Sequence, residues 1–237
     1  MKKAGLILMC LMMAAGWAFG QDEDSKKERK RTKDEFRIEL GLNNFLQNGQ
    51  FPDQTNELYT LKPAGSRYVS LGKMYLSHLG GPLYVEWGGS VSWYNFRFQD
   101  PSVRINHTET GTEFYQETAP EVTPIKSKLT VSYVNAEIVP VVKFGSNRNK
   151  MRVGAGVYGG YRLGSYAKIN YETNNLEVKD KERNTFYTDN IRYGVRGRFG
   201  FKDIDLFVNY DLNNLFIADK GPELNAISIG FVLSDMF

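Results

Sequence analysis

From Phe36 onward the chain falls into segments whose side chains alternate in character with a period of two, and the connections between them alternate in length. The segments run over 36–45, 67–76, 83–98, 128–144, 150–168, 185–201, 203–212 and 224–237. The first connection is about twenty residues and the second, at His78 to Pro82, about five. The third, 99–127, is nearly thirty and the fourth, 145–149, about five again. The fifth, 169–184, is long, the sixth at Lys202 is minimal, and the seventh, 213–223, is longer. A soluble sandwich has no reason to keep such a rhythm. It is the rhythm of an even-stranded barrel whose hairpins open to two different compartments.

Within the segments one parity is apolar. Phe36, Ile38, Leu40 and Leu42 share a face in the first, and Leu83, Val85, Trp87, Val91 and Trp93 share one in the third. In the fourth, Val134, Ala136, Ile138, Val142 and Phe144 oppose Asn135, Glu137 and Lys143. The sixth places Tyr187, Ile191, Tyr193, Val195, Phe199 and Phe201 together, and the second is less clean. This is strand periodicity, and no helical period of comparable length competes with it. The last segment ends with Ile227, Ile229, Phe231, Leu233 and the terminal Phe237 on one parity. Outer-membrane barrels close on such an aromatic-ended strand, so Phe231, Leu233 and Phe237 are read as the assembly signal. Asp235 breaks the pattern, and a half-buried last strand of a soluble sheet is the competing reading.

The start of the chain points to export. Lys2 and Lys3 precede an apolar run from Ala4 to Ala15, and Ala18-Phe19-Gly20 supplies small residues for signal cleavage before Gln21. The run is too short to span a bilayer comfortably. Met9 before Cys10 argues against lipidation, and Cys10 leaves with the signal, so the mature chain has neither disulfides nor thiolate chemistry. Residues 21–35 contain no apolar side chain and balance acids against bases, which describes a flexible periplasmic tail. The domain reading is therefore signal peptide 1–20, charged tail 21–35 and barrel 36–237. The formal charge of +3 includes the two leader lysines, and mixed signs along the chain give no footprint of a nucleic-acid binder. Modest hydropathy excludes membrane helices but not a membrane barrel, which needs apolar residues at every second position only.

The fold expectation is all-β: an eight-stranded antiparallel transmembrane barrel of the outer-membrane type. An eight-stranded barrel is wide enough only for side chains to fill its interior. The parity opposite the lipid face brings in Glu86, Glu137, Arg152, Arg162, Arg192, Arg196, Arg198, Asp205 and Asp211, with Lys143. Charges in such a space must be paired or wet, so these nine are read as a structural ion-pair network plugging the lumen, with a conducting pore as the alternative. Trp87, Trp93, Tyr75, Tyr161, Tyr187, Tyr193, Phe199 and Phe201 fit interface girdles. Pro140, inside the fourth segment, requires a bulge or a place near the periplasmic rim.

Tyr133-Val-Asn-Ala-Glu-Ile-Val-Pro140-Val-Val-Lys-Phe144 followed by Val153-Gly-Ala-Gly-Val-Tyr-Gly-Gly160 resembles the outer-membrane β-barrel domain family common in Bacteroidetes, which includes PorT-like proteins. Asp205-Leu-Phe-Val-Asn-Tyr-Asp-Leu and the terminal Gly230-Phe231…Phe237 resemble that family's last hairpin. The resemblance implies fold and location and carries no catalytic constellation.

Catalysis has little to stand on. His107, in the long third connection, is the one imidazole that could act on lipid A, with Ser102 or Glu109, but no spacing orients a base toward a nucleophile. His78, beside Gly80 and Gly81, reads as a turn residue. No metal-ligand spacing or nucleotide loop is present, and no cofactor is expected. The reading is a non-enzymatic outer-membrane barrel with a structural, adhesive or envelope/secretion-accessory role. Its partners are outer-membrane lipid, the barrel-assembly machinery, and other envelope proteins reached through the outer loops or the tail. The alternatives are a narrow pore or lipid-binding barrel, a lipid A-modifying enzyme, and a soluble periplasmic sandwich.

Overall fold

A computed structural model describes residues 32–53, 57–145, 151–202 and 204–234. The signal peptide, most of the tail and Phe237 lie outside the described residues. Eight strands close on themselves in the order β1 (Thr32–Leu46), β2 (Arg67–Gly80), β3 (Leu83–Arg97), β6 (Thr123–Phe144), β7 (Met151–Thr173), β9 (Ile191–Phe201), β10 (Ile204–Asp211) and β11 (Asn225–Ser234). β11 then pairs with β1, from Arg37 opposite Ser234 to Leu46 opposite Asn225. Every pairing is antiparallel. Closure removes the free sheet edges that a sandwich would leave, and this is an eight-stranded barrel of the outer-membrane type.

The alternation read from the sequence fixes which face is which. Phe36, Leu40 and Leu42 on β1, Ile138 on β6, Val157 on β7 and Phe199 on β9 are exposed, while their neighbours point into the lumen and are buried. Ile229, Phe231 and Leu233 stand outward at 56%, 59% and 52% exposure. A continuous apolar band of this kind is too large for a surface meeting water alone. Inside, glycines make room: a Cβ on Gly194 would collide with the Tyr210 carbonyl and the Tyr158 ring.

Several boundaries differ from the sequence reading. β1 begins at Thr32, so residues 32–35 belong to the barrel and not to the tail, and Glu35 is buried. The strand expected from Thr185 starts at Ile191 instead. Phe186 and Tyr187 both have φ of +45° and cannot continue an extended chain. The third connection contains a hairpin, β4 (Val103–His107) with β5 (Thr112–Gln116), and β6 begins at Thr123. The fifth is mostly a second hairpin, because β7 runs on to Thr173 and returns as β8 (Leu176–Glu182) through Asn174 and Asn175. Both asparagines have positive φ, as a two-residue turn matching strand twist requires.

Pro140 is accommodated without a bulge. It points outward near the short-turn end, and the ladder to β7 is interrupted there while its register continues from Ile138–Val157 to Val141–Gly154. The bulges fall elsewhere, at Leu163, where the β6–β7 register shifts between Ser132 and Tyr133, and at Ile125, where it shifts between Pro124 and Lys126. His78 lies in β2 and donates to the Gly81 carbonyl at 2.9 Å, holding the Gly81 turn.

Candidate functional site

The lumen is stacked in three tiers, and the long loops complete the uppermost. Nearest the short turns is an ionic tier centred on Arg37. Its Nη2 lies 2.5 Å from Glu35 Oε1 and 2.8 Å from Glu86 Oε2, and its Nη1 lies 3.1 Å from Glu137 Oε1. Glu137 uses its second oxygen on Arg196 Nη1 at 3.2 Å, and Arg196 also grips Glu39. One carboxylate on β6 therefore ties β1 to β9 across the lumen. Arg152 holds Asp205 with two nitrogens, Nη2 at 3.0 Å and Nε at 3.1 Å, while Arg198 sits 3.7 to 3.9 Å from Glu86, Glu39 and Asp205. Planar guanidinium forks suit such shared carboxylates better than ammonium groups do.

The middle tier is aromatic. The Arg192 guanidinium lies 4.4 Å from the Tyr94 ring, 4.7 Å from Tyr158 and 5.1 Å from Tyr133. It donates to Asp211 at 2.7 Å, and the Tyr158 hydroxyl donates to the same oxygen. Tyr68 packs edge-on against Tyr94 at 4.9 Å and reaches Phe207 at 5.3 Å. A fully desolvated guanidinium among ring faces is stabilised by their quadrupoles as well as by its carboxylate.

Above this tier the contents become apolar. Phe45 and Phe96 pack with tilted rings 4.3 Å apart, joined by Leu129 and Val131 of β6 and by Phe98 just past the end of β3. The loops add Tyr59, Leu61, Val103, Ile105, Phe186, Leu215, Phe216 and Leu224 to the same core. They are also laced together by hydrogen bonds. Thr112 Oγ1 donates to the Phe186 carbonyl at 2.6 Å and its N–H to the Lys220 carbonyl at 2.7 Å. The Tyr187 hydroxyl donates to the Thr108 carbonyl at 2.9 Å, and Gln99 N–H donates to the Thr60 carbonyl at 2.8 Å. All four loops thus share one folded cap.

Little space is left. The gap ringed by Arg37, Glu39, Ser70, Gly72, Met74, Ser90 and Glu137 has no room for a water molecule. The cleft at the short-turn mouth, among Glu35, Glu86, Lys143, Arg152, Arg198 and Asp205, has room for about one. Across the ionic and aromatic tiers Glu35, Glu39, Glu86, Glu137, Asp205 and Asp211 face Arg37, Lys143, Arg152, Arg192, Arg196 and Arg198, six charges of each sign.

Of the nine residues expected to form one network, Glu86, Glu137, Arg152, Arg196, Arg198 and Asp205 meet in the ionic tier. Arg192 and Asp211 form a separate pair among the tyrosines. Arg162 joins neither: it sits at the outer rim, donating to Asn190 Oδ1 at 2.6 Å and Ser165 Oγ at 3.3 Å. The sequence reading missed Glu35, Arg37 and Glu39, although Arg37 and Glu39 hold the parity opposite Phe36, Ile38 and Leu40. Tyr187, expected in an aromatic girdle, instead stacks on His107 at 4.3 Å within the cap.

His107 is thereby engaged by a ring rather than aligned with a nucleophile. The Ser102 hydroxyl and N–H both go to Asp100, at 2.7 and 2.8 Å. Partial burial pushes the Asp100 carboxyl up, but those bonds and the Gln116 amide outweigh it and hold the group below the usual carboxylate range.

No family model and no curated protein matches the chain. Among solved structures, it is similar to Ail, the attachment invasion locus protein of Yersinia pestis, at 12% identity and a TM-score of 0.31, covering 84% of this chain and 97% of that one. A second structure of Ail, in complex with the heparin analogue sucrose octasulfate, matches at 11% identity and a TM-score of 0.30, covering 86% and 99%.

Proposed function

We propose that the protein is a non-enzymatic outer-membrane barrel with a closed lumen, and that its working surface is the folded cap formed by its four long loops. The observation that carries this reading is the filling of the interior from the short-turn mouth to the cap. A barrel that conducts leaves a continuous wet path, and the contacts of Arg37, Arg196 and Arg192 occupy the cross-section in successive tiers. The outward apolar band supports residence in a bilayer, and the resemblance to small Bacteroidetes barrels points the same way. Phe231 and Leu233 present apolar groups on the last strand, where assembly machinery would read them.

A cap with its own apolar core and cross-loop hydrogen bonds holds a defined shape outside the membrane. That suits a structural or adhesive role toward other envelope or surface partners. Hydrolysis of lipid finds no support, since His107 is stacked on Tyr187 and Ser102 is bonded to Asp100.

The test has two parts. Membrane fractions run on a detergent gel with and without boiling should show an outer-membrane band whose mobility changes on heating. The purified barrel in planar bilayers should then give no steady single-channel conductance. A soluble periplasmic band without a mobility shift would sink the barrel reading, and a reproducible open-channel current would replace the closed lumen with a pore.

A further inference from the structure

On the outer face of the barrel, beyond the apolar band, positive side chains stand directly opposite one another across four adjacent strands. Arg97 on β3 pairs with Lys128 on β6, Lys128 with Lys168 on β7, and Lys168 with Lys181 on β8. Lys126, one rung beyond Lys128, and Arg67, at the end of β2, flank the row. Like charges directly opposite in a sheet destabilise it. None of the six forms an ion pair among the described residues.

Neutral groups relieve the row only in part. Lys128 Nζ donates to Asn95 Oδ1 at 2.8 Å, and Lys181 lies 3.8 Å above the Tyr166 ring. Among the acids of the same hairpin, Glu177 is paired with Lys179 at 3.3 Å and faces Glu172 at the far tip. Asp180 and Glu182 have the opposite parity to Lys179 and Lys181. Lys126, above the barrel wall, is held below the ordinary lysine range by burial first, and then by Lys128, Arg97, Lys168 and Arg67.

Position narrows what could neutralise these charges. Arg97 and Lys128 share the outward parity of Trp93 and Val134, four and six residues further into the band. Each pair of residues advances about 6.7 Å along a strand, and neighbouring strands are about 4.8 Å apart. One phosphate can therefore bridge two neighbouring cations of the row at headgroup level. The opposite side of the barrel ends in Ile191, Leu212, Asn225 and Leu46, with no cation among them.

We propose that the row Arg97–Lys128–Lys168–Lys181 binds the phosphates of a phosphorylated glycolipid headgroup in the leaflet on the long-loop side. This rests on the outer-membrane reading above. Lipid phosphate then completes the outer end of β6–β7–β8, and one flank of the barrel carries an anchored lipid.

The test uses the mature chain folded in a neutral maltoside detergent, with binding read by native mass spectrometry. The probes are lipid A carrying both phosphates, the same lipid with both removed, and inositol hexakisphosphate as a soluble polyanion. The wild type should bind the bisphosphorylated lipid about tenfold or more tightly than the dephosphorylated form. The K128Q/K168Q variant should lose that preference, and K73Q, midway along β2, outside the row and paired with Asp34, should keep it. Should K128Q/K168Q not fold, R97Q/K181Q asks the same question. Retained preference in a folded row variant, no preference in the wild type, or equally tight binding of the soluble polyanion would overturn the site. A heat-shifted band without phosphate preference would overturn the site alone and leave the barrel standing. An unshifted wild-type band would overturn both.

Discussion

Arg37 is the residue on which the ionic tier turns, because it faces Glu35, Glu86 and Glu137 at once with its side chain 3% exposed. Replacing it with alanine leaves three carboxylates to share the remaining guanidiniums out of reach of water. The expected loss is about 3–5 kcal/mol, read as a lower urea midpoint for refolding into detergent micelles. Parity makes Glu86, Glu137, Arg196, Arg198 and Asp205 legible in the sequence, since each alternates with large apolar neighbours in a long strand. It makes Arg37 and Glu39 equally legible once the apolar set Phe36, Ile38 and Leu40 is read for its complement. Glu35 is harder to find, because it ends a run of charges indistinguishable in composition from a solvated tail. Arg162 shows the converse. Its parity points inward, yet it lies beside the bulge at Leu163 and close enough to the rim to take Asn190 as its partner.

At the scale of the element, the barrel strands followed from their period, while the structure of the loops did not. β4–β5 and the β7–β8 extension are short and closed by turns such as Asn174–Asn175, whose conformation rather than hydropathy makes the hairpin. The cap is likewise held by sequence-distant hydrogen bonds that no local pattern announces. Thr112 joins the second loop to the third and fourth through Phe186 and Lys220. A Thr112→Val change keeps the shape and leaves the buried Phe186 carbonyl without its donor, at a cost of about 1–3 kcal/mol. That cost falls on the cap alone. Limited proteolysis should cut the loops of Thr112→Val faster than those of the wild type, while the heat-dependent gel shift stays unchanged.

At the scale of the whole molecule, the distribution of lumenal charge along the chain has a consequence for how the barrel enters a membrane. Among the described residues of the ionic and aromatic tiers, the strands up to Phe144 bring Glu35, Glu39, Glu86 and Glu137 against Arg37 and Lys143. In the same tiers the strands from Met151 bring Arg152, Arg192, Arg196 and Arg198 against Asp205 and Asp211. Each half is thus a surplus of one sign, and the surpluses cancel only across the closed lumen. Carrying either half into hydrocarbon by itself would strand two charges without counter-ions, a penalty of several kcal/mol apiece. Insertion has to be concerted. Fragments divided at the short turn after Phe144 should each fail to become heat-modifiable when produced alone, and should regain the mobility shift when produced together. The chain carries, in effect, an electrostatic lock that lets the two halves cross the threshold of the bilayer only as a pair.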